Sequence, residues 1–538
     1  MLVRFSFESA KITLIQIGFL FSMLTIISFR ARAQVTLPLN REIIQRLEPE
    51  IIKQNPYFFT SLKPYDEGLL QKVVNIDSLL AFGKTQKHST WFGRKLFEES
   101  FLQIDSPDFS LRIDPVFNFS LGKENGNPQK LIGNTRGAMV RCRIGQSIGI
   151  ESSFYENQTF FPKIWDQYIS IYRVAPGQGR TKRYNKTGWD YAYSSGSITW
   201  HPKGIFMMQL GRDKNFIGDG YRSLLLSDIS TNYPFLKFKL SWKKIQYIRI
   251  TALLQNIDYK IIDKEMKYPQ KMANFHLISI NTLKHFQLSL FEGTVLKDPD
   301  SRGKFTFNFE AADPIPFLNI VGRDQSKDKA NSIGGLNLSW HPDSYFQVYN
   351  QWIFDDPLHK KNDGKIGIGK YGCQIGFKYF DALKIKNFYF QGELNLVQPF
   401  TYSQDDSTKS YSHFDQPLAH PLGANFYEVT GIVNYRYKRV YLEYILTYAK
   451  YGADGSTGNS GHNILLTQTH NSDAFLQGIK TNLVTHQARI AWYLNPATNS
   501  CISAGIYWQN LTSSVVNRST KVIYISFSTN LRNLYYDF

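Results

Sequence analysis

From Phe109 almost to its last residue the chain alternates apolar and polar side chains one by one, and this period of two narrows its possible folds more than any other feature. In Leu236-Lys237-Phe238-Lys239-Leu240-Ser241-Trp242 the even positions are apolar and the odd ones polar. Successive side chains of a strand point to opposite faces, so such a segment has one oily face and one wet face. The same reading holds for Phe305, Phe307 and Phe309 between Thr306, Asn308 and Glu310. It holds again for Phe388, Phe390, Leu394 and Leu396 against Gln391, Glu393 and Asn395, and for Leu442, Tyr444, Leu446 and Tyr448 against Glu443 and Thr447. Tight turns join the segments in pairs: His201-Pro202-Lys203-Gly204, His341-Pro342-Asp343-Ser344 and Asn495-Pro496-Ala497-Thr498. Pro, Asp and Gly fix the backbone of such turns. Longer polar stretches separate the pairs, and short turns alternating with long loops are the asymmetry of a membrane barrel. A sandwich, propeller or β-helix would share the alternation, but no repeat of blade length is present. The expected fold is all-β, an antiparallel transmembrane β-barrel of about 18 strands.

What precedes Phe109 reads differently. Arg4 and Lys11 lie before an apolar run from Ile12 to Phe29, which ends at Ala31-Arg32-Ala33. That is the layout of a secretory signal peptide over residues 1–33, with a retained membrane helix as the alternative. From Gln34 to about Asp105 the spacing turns helical, with Ile43, Ile44, Leu47, Ile51 and Ile52 in one run and Leu69, Leu70, Val73, Val74, Ile76, Leu79 and Leu80 in another. Residues 34–105 are therefore expected as a small N-terminal helical segment on the periplasmic side, and 106–538 as the barrel in the outer membrane of a Gram-negative cell. The mean hydropathy of −0.31 fits this, because each barrel strand offers only half of its side chains to lipid. So does the 15% aromatic content, with 32 Tyr and 40 Phe for two interfacial girdles. Cys142, Cys373 and Cys501 are too few and too scattered for a disulfide scaffold or metal cluster. No cofactor is expected. Export removes nucleic acid as the counterpart of the +18 net charge, leaving anionic lipid, an acidic glycan, or charge spread over loops.

One stretch is more specific. Gly211-Arg212-Asp213-Lys214-Asn215-Phe216-Ile217-Gly218-Asp219-Gly220-Tyr221-Arg222-Ser223-Leu224-Leu225-Leu226-Ser227-Asp228, followed by Asn232-Tyr233-Pro234-Phe235, resembles the signature loop of the Wzi capsule-assembly family. The chain is also similar to RemB-like gliding-motility proteins. That resemblance is carried by Leu37-Pro38-Leu39-Asn40, Thr60-Ser61-Leu62-Lys63-Pro64-Tyr65, Gly93-Arg94-Lys95-Leu96-Phe97 and the ending Leu531-Arg532-Asn533-Leu534-Tyr535-Tyr536-Asp537-Phe538. Where Wzi has an aromatic-Gly-Pro-Gly turn, this chain has Ile217-Gly218-Asp219-Gly220. The resemblance implies a barrel of about 18 strands with a small helical periplasmic part. It further implies a surface role in capsular or exopolysaccharide attachment, adhesion or gliding motility, with polysaccharide or surface motility and adhesion proteins as partners. The terminal Phe538 resembles the aromatic ending that the barrel-assembly machinery recognises, although it is off the parity of Ile523 and Phe527 unless a bulge intervenes.

Glycines in the loop allow a sharp fold, back into the lumen, before Leu224 to Leu226 rejoin the wall. Arg212, Lys214 and Arg222 would then present cations beside Tyr221 and Tyr233, suited to carboxylates and sugar faces. The competing account has these cations paired to Asp213, Asp219 and Asp228, with the loop only bracing the barrel. A second basic and aromatic candidate is the stretch 158–186, with Trp165, Arg180, Lys182 and Arg183. Gly367-Ile368-Gly369-Lys370-Tyr371-Gly372 matches a dinucleotide fingerprint, but another alternating segment follows it instead of a helix. No linear catalytic motif is present, so the expected function is non-enzymatic, with a porin-like diffusion channel as the alternative.

Overall fold

The computed structural model describes residues 35–80, 88–202, 205–257, 268–297, 316–317, 330–355, 370–404, 406–456, 458–467, 474–529 and 532–538. The signal-peptide stretch and the alternating Phe305–Glu310 segment lie outside the described residues.

Eighteen antiparallel strands close into a barrel. In chain order they are β1 (Phe109–Glu124), β2 (Lys130–Ile144), β3 (Ile148–Thr159), β4 (Gly188–Trp200), β5 (Phe206–Asp213), β6 (Tyr233–Trp242), β7 (Ile245–Gln255), β8 (Gln270–Leu283) and β9 (Phe286–Lys297). There follow β10 (Ala330–Trp340), β11 (Phe346–Asp355), β12 (Tyr371–Tyr379), β13 (Phe388–Val397), β14 (Phe426–Tyr437), β15 (Val440–Ala453), β16 (Ile479–Asn495), β17 (Ser500–Thr512) and β18 (Asn517–Ser528). Each strand pairs with its neighbours in sequence, and β18 pairs with β1, from Val522↔Glu124 to Ser528↔Asn118, which closes the ring. In a lipid environment closure is what satisfies every backbone group.

The alternation sorts as the sequence requires. On β6, Lys237 and Lys239 are buried toward the lumen while Leu240 and Trp242 are exposed outside. On β13, Gln391, Glu393 and Asn395 are buried while Phe390 and Leu394 are exposed. Trp200, Trp242, Trp340, Tyr437 and Trp492 lie on strand ends next to the short turns, as one interfacial girdle would. A strand, Tyr371–Tyr379, begins within the glycine-rich match where a helix would have to start, which removes the dinucleotide reading.

The lumen is occupied. Helix α1 (Arg41–Gln54) is capped by Asn40, whose side chain accepts from the Ile43 N–H at 3.2 Å. Its apolar face, Ile43, Ile44, Leu47 and Ile51, packs on Tyr65, Leu70, Val74 and Ile76. Its polar face meets the inner wall. Arg41 pairs with Glu443 at 2.7 Å, Arg489 with Glu42 at 2.6 Å and Lys378 with Glu48 at 2.7 Å, and the Asn434 amide donates to Gln45 at 3.0 Å. Thus the segment expected as a periplasmic leader reaches into the barrel mouth from the short-turn side. A strand at Leu102–Ser106 then pairs with β1 and leads the chain into the wall. Helix α2 (Lys163–Tyr172) sits in the long connection between β3 and β4.

Phe538 does not end a strand. The wall stops at Ser528, and the tail turns inward so that Phe538 packs against Trp165, ring centroids 5.1 Å apart, and against Tyr168 at 6.0 Å. This explains why its parity does not match that of β18.

Candidate functional site

The luminal excursion begins where β5 ends at Asp213. Gly218 takes φ +144, a left-handed value that favours glycine, and a Cβ there would collide with the Gln351 amide. The Gly218 carbonyl accepts from Lys63 Nζ at 2.7 Å, and Lys63 also faces Asp219 at 3.5 Å. Leu224, Leu225 and Leu226 do not rejoin the wall as expected. All three are fully buried in the lumen against Ile250, Phe275, Phe291, Ile333 and Ile353, because an apolar triplet pressed on inward-facing wall residues plugs the barrel better than it pairs at its rim. The wall restarts only at Tyr233.

Most of the loop's expected ligand-binding residues serve this plug. Arg222 is 2% exposed and holds Glu428 and Asp537, each at 3.0 Å, and His420 Nε2 meets Glu428 at 2.8 Å. Burial acts to lower the Arg222 pKa, but Asp537 and Glu428 outweigh it and hold the guanidinium well above its usual value. Tyr221 O–H donates to Asp537 at 2.9 Å, and Tyr535 O–H to Asp228 at 2.9 Å. Lys214 donates to the carbonyls of Gly177 at 2.6 Å and Asp228 at 2.8 Å. Burial lowers its pKa to about 8. Tyr233 is fully buried. Trp165, 3% exposed, is caged by Tyr168, Tyr536 and Phe538. The carboxylates do not take the partners expected of them: Asp213 pairs with Arg532 and Asp219 with Lys63. These pairs were invisible in sequence because their members lie 156 and 319 positions apart.

Three expected residues behave differently. β5 pairs with β4 only from Gly196↔Arg212 to Trp200↔Met208, so the outer part of β4 has no wall strand on that side. The short strand Lys182–Tyr184 fills part of the gap by pairing with Gly188–Asp190, and Asn232 donates to the Ser194 carbonyl. What remains is a pocket of about 450 Å³ lined by Arg180, Lys182 and Arg212 together with Glu156, Asp190 and Asn232. The three cations are exposed, and Arg180 lies over the Tyr268 ring at 4.6 Å. The sequence named these residues but not their meeting place, which depends on β5 being short. Arg183, also exposed, instead covers the Trp189 ring at 3.7 Å and pairs with Asp166 at 3.2 Å. Among the described residues no group of three His, Cys, Asp or Glu side chains is arranged to hold a metal.

No protein-family model matches the chain, and no curated protein does. Among solved structures it is similar to Wzi of Escherichia coli, described as an outer membrane protein involved in group 1 capsule assembly and a carbohydrate-binding β-barrel. Identity is 11% and the TM-score 0.53, over 93% of this chain and all of that one. The OprD structure of Pseudomonas aeruginosa is 9% identical, with a TM-score of 0.42 over 82% of this chain and 98% of that one. The likeness to Wzi is one of fold: this chain forms a closed barrel of the outer-membrane kind with its lumen filled by its own segments.

Proposed function

We propose that the protein is a non-enzymatic outer-membrane barrel that holds an acidic polysaccharide at its outer rim, in the pocket beside the short strand β5. The observation that carries this is the convergence of Arg180, Lys182 and Arg212 on one open cavity, while the remaining candidate cations of the loop are committed to the plug. Guanidinium forks suit the carboxylates of acidic sugars. Glu156 and Asp190 in the same lining can accept from sugar hydroxyls. Attachment of such a polymer to the surface suits capsule retention, adhesion or gliding, the roles implied by the Wzi and RemB-like resemblance. The filled lumen weighs against a diffusion channel. Recognition of Phe538 by the assembly machinery belongs to the same reading and would precede docking of the tail.

The test is binding of the purified full chain to the native cell's uronate-bearing surface polysaccharide. A charge-assisted contact contributes about 1.5–3 kcal/mol, so the R180A/K182A/R212A variant should lose at least about a hundredfold in affinity. Its heat-modifiable migration should match wild type. Undiminished binding by that folded variant refutes the assignment.

A further inference from the structure

The seam where the barrel closes carries an outward charge cluster that none of the described residues neutralises. Outward side chains run Phe119, Leu121, Lys123 along β1, Ile132 and Lys130 on β2, and Ile525, Ile523, Lys521 on β18. Lys123 stands directly opposite Lys130, and Ile523 directly opposite Lys123, which places Lys521 on the diagonal. Diagonal neighbours on one face of a sheet are roughly 7–8 Å apart, within reach of one another's long side chains. Among the described residues none of the three lysines has a carboxylate partner. One pair further into the wall, Leu121↔Ile132 is exposed and apolar, so the lysines mark the outer limit of the lipid-facing band. Like charges directly opposite destabilise a sheet, a cost that a bound anion cancels.

Beside the cluster the wall offers rings and then a groove. Lys521 Nζ lies over Trp508 at 4.6 Å, Trp508 stacks on His486 at 5.0 Å, and the Tyr444 hydroxyl meets His486 Nδ1 at 2.8 Å. One step inward, Ala488 and Ala504 stand among Tyr444, Ile490, Ile506 and Ile523 and leave an apolar groove of about 560 Å³. The groove ends at Ile523, opposite Lys123.

We propose that this seam binds a phosphorylated glycolipid of the outer leaflet, its phosphates between Lys123, Lys130 and Lys521 and an acyl chain in the groove. Three ammonium groups on three strands match more than one phosphate, which favours a multiply phosphorylated sugar over a phospholipid with a single phosphate. A second copy of the chain fits less well, since two-fold pairing through this face sets the same lysines against themselves. The site is separate from the polysaccharide pocket, whose cations lie on β5 and the connection before β4.

Native mass spectrometry of the full chain in detergent tests it, with diphosphorylated hexa-acyl lipid A, its monophosphorylated form and phosphatidylglycerol as probes. Wild type should retain the diphosphorylated form about tenfold better than phosphatidylglycerol, with the monophosphorylated form between them. K123Q/K130Q/K521Q should abolish that preference. A488L/A504L should weaken both glycolipids while preserving their order. Heat-modifiable migration establishes that each variant is folded, and K521Q alone, on an exposed position, should show part of the loss if the triple variant does not assemble. The proposal is overturned if the folded lysine variant keeps the wild-type preference, if wild type holds phosphatidylglycerol equally well, or if it appears as a lipid-free dimer through this face.

Discussion

Replacing Arg222 by alanine takes away the guanidinium that Glu428 and Asp537 share, each at 3.0 Å and each fully buried. Removing one member of a buried ion pair costs about 3–5 kcal/mol, because the partner stays behind as an uncompensated charge. Here two carboxylates are left, and Arg222 also covers the Tyr221 and Tyr535 rings at 4.7 Å and 5.5 Å. Glu428 belongs to the wall, whereas Arg222 and Asp537 belong to the luminal loop and the tail. The cost therefore falls on docking of the plug, not on the strand ladders. At about 1.4 kcal/mol per factor of ten, the ratio of docked to undocked plug should drop by roughly two to three and a half orders of magnitude. In planar bilayers wild type should be electrically quiet, and R222A should show frequent open steps. R222K should fall between, since an ammonium keeps the charge but not the fork. R222M/E428Q/D537N, which removes the charges together, should recover most of the wild-type closure. An R222A barrel as silent as wild type, with the same thermal midpoint, would refute the assignment of the plug to this network.

Other consequences can be checked separately. Lys214 has a folded pKa of about 8, below its ordinary 10.5, so between those values the unfolded chain binds more protons than the folded one. Stability from this group should then rise with pH from about 8 to 10.5 and stay flat below 8, a span on the order of 3 kcal/mol. Thermal midpoints in detergent should show a shallower rise in K214M; identical slopes would contradict the burial of this amine. F538A removes two edge-on ring contacts, each contributing about 1 kcal/mol. It should shift Trp165 emission to the red by difference against W165F, and an unmoved spectrum would place the tail outside the lumen.

The wall was legible in sequence because a period of two is a local property: Lys237 and Lys239 announce their face by the residues beside them. The closed barrel and its eighteen strands follow from that alternation and from hairpin turns such as Asn495-Pro496-Ala497-Thr498. The lumen was not legible, because it is assembled from contacts across the whole chain. Arg222 to Glu428, Glu42 to Arg489 and Asp219 to Lys63 join segments with no common pattern. Leu224–Leu226 shows the limit well, since an apolar triplet reads the same whether it pairs in a wall or fills a lumen. The basic residues of 158–186 were visible as a composition. Only the pairing of Lys182–Tyr184 with β4 shows that Arg180 and Lys182 meet Arg212, while Arg183 turns away to Trp189.

Plug and pocket are two results of one choice of path. A chain that leaves the wall at Asp213 and rejoins it at Tyr233 must spend the intervening residues somewhere. Sent inward, they bring Leu224–Leu226 onto the inner face of the barrel and Arg222 to the tail, which fills the pore. The same departure leaves β5 too short to flank the outer half of β4, and the wall opens there sideways, at the level of Arg212. With the number of residues fixed, lengthening β5 would restore the wall but draw residues out of the lumen, so only added residues can separate the two features. An insertion of two alternating residues after Asp213, matched by two before Tyr233, should therefore weaken polysaccharide retention and leave the plug's inner contacts intact only if the inserted pair extends the wall instead of the loop. Retention unchanged in such a folded variant would mean that the gap beside β5 is not where the polymer sits.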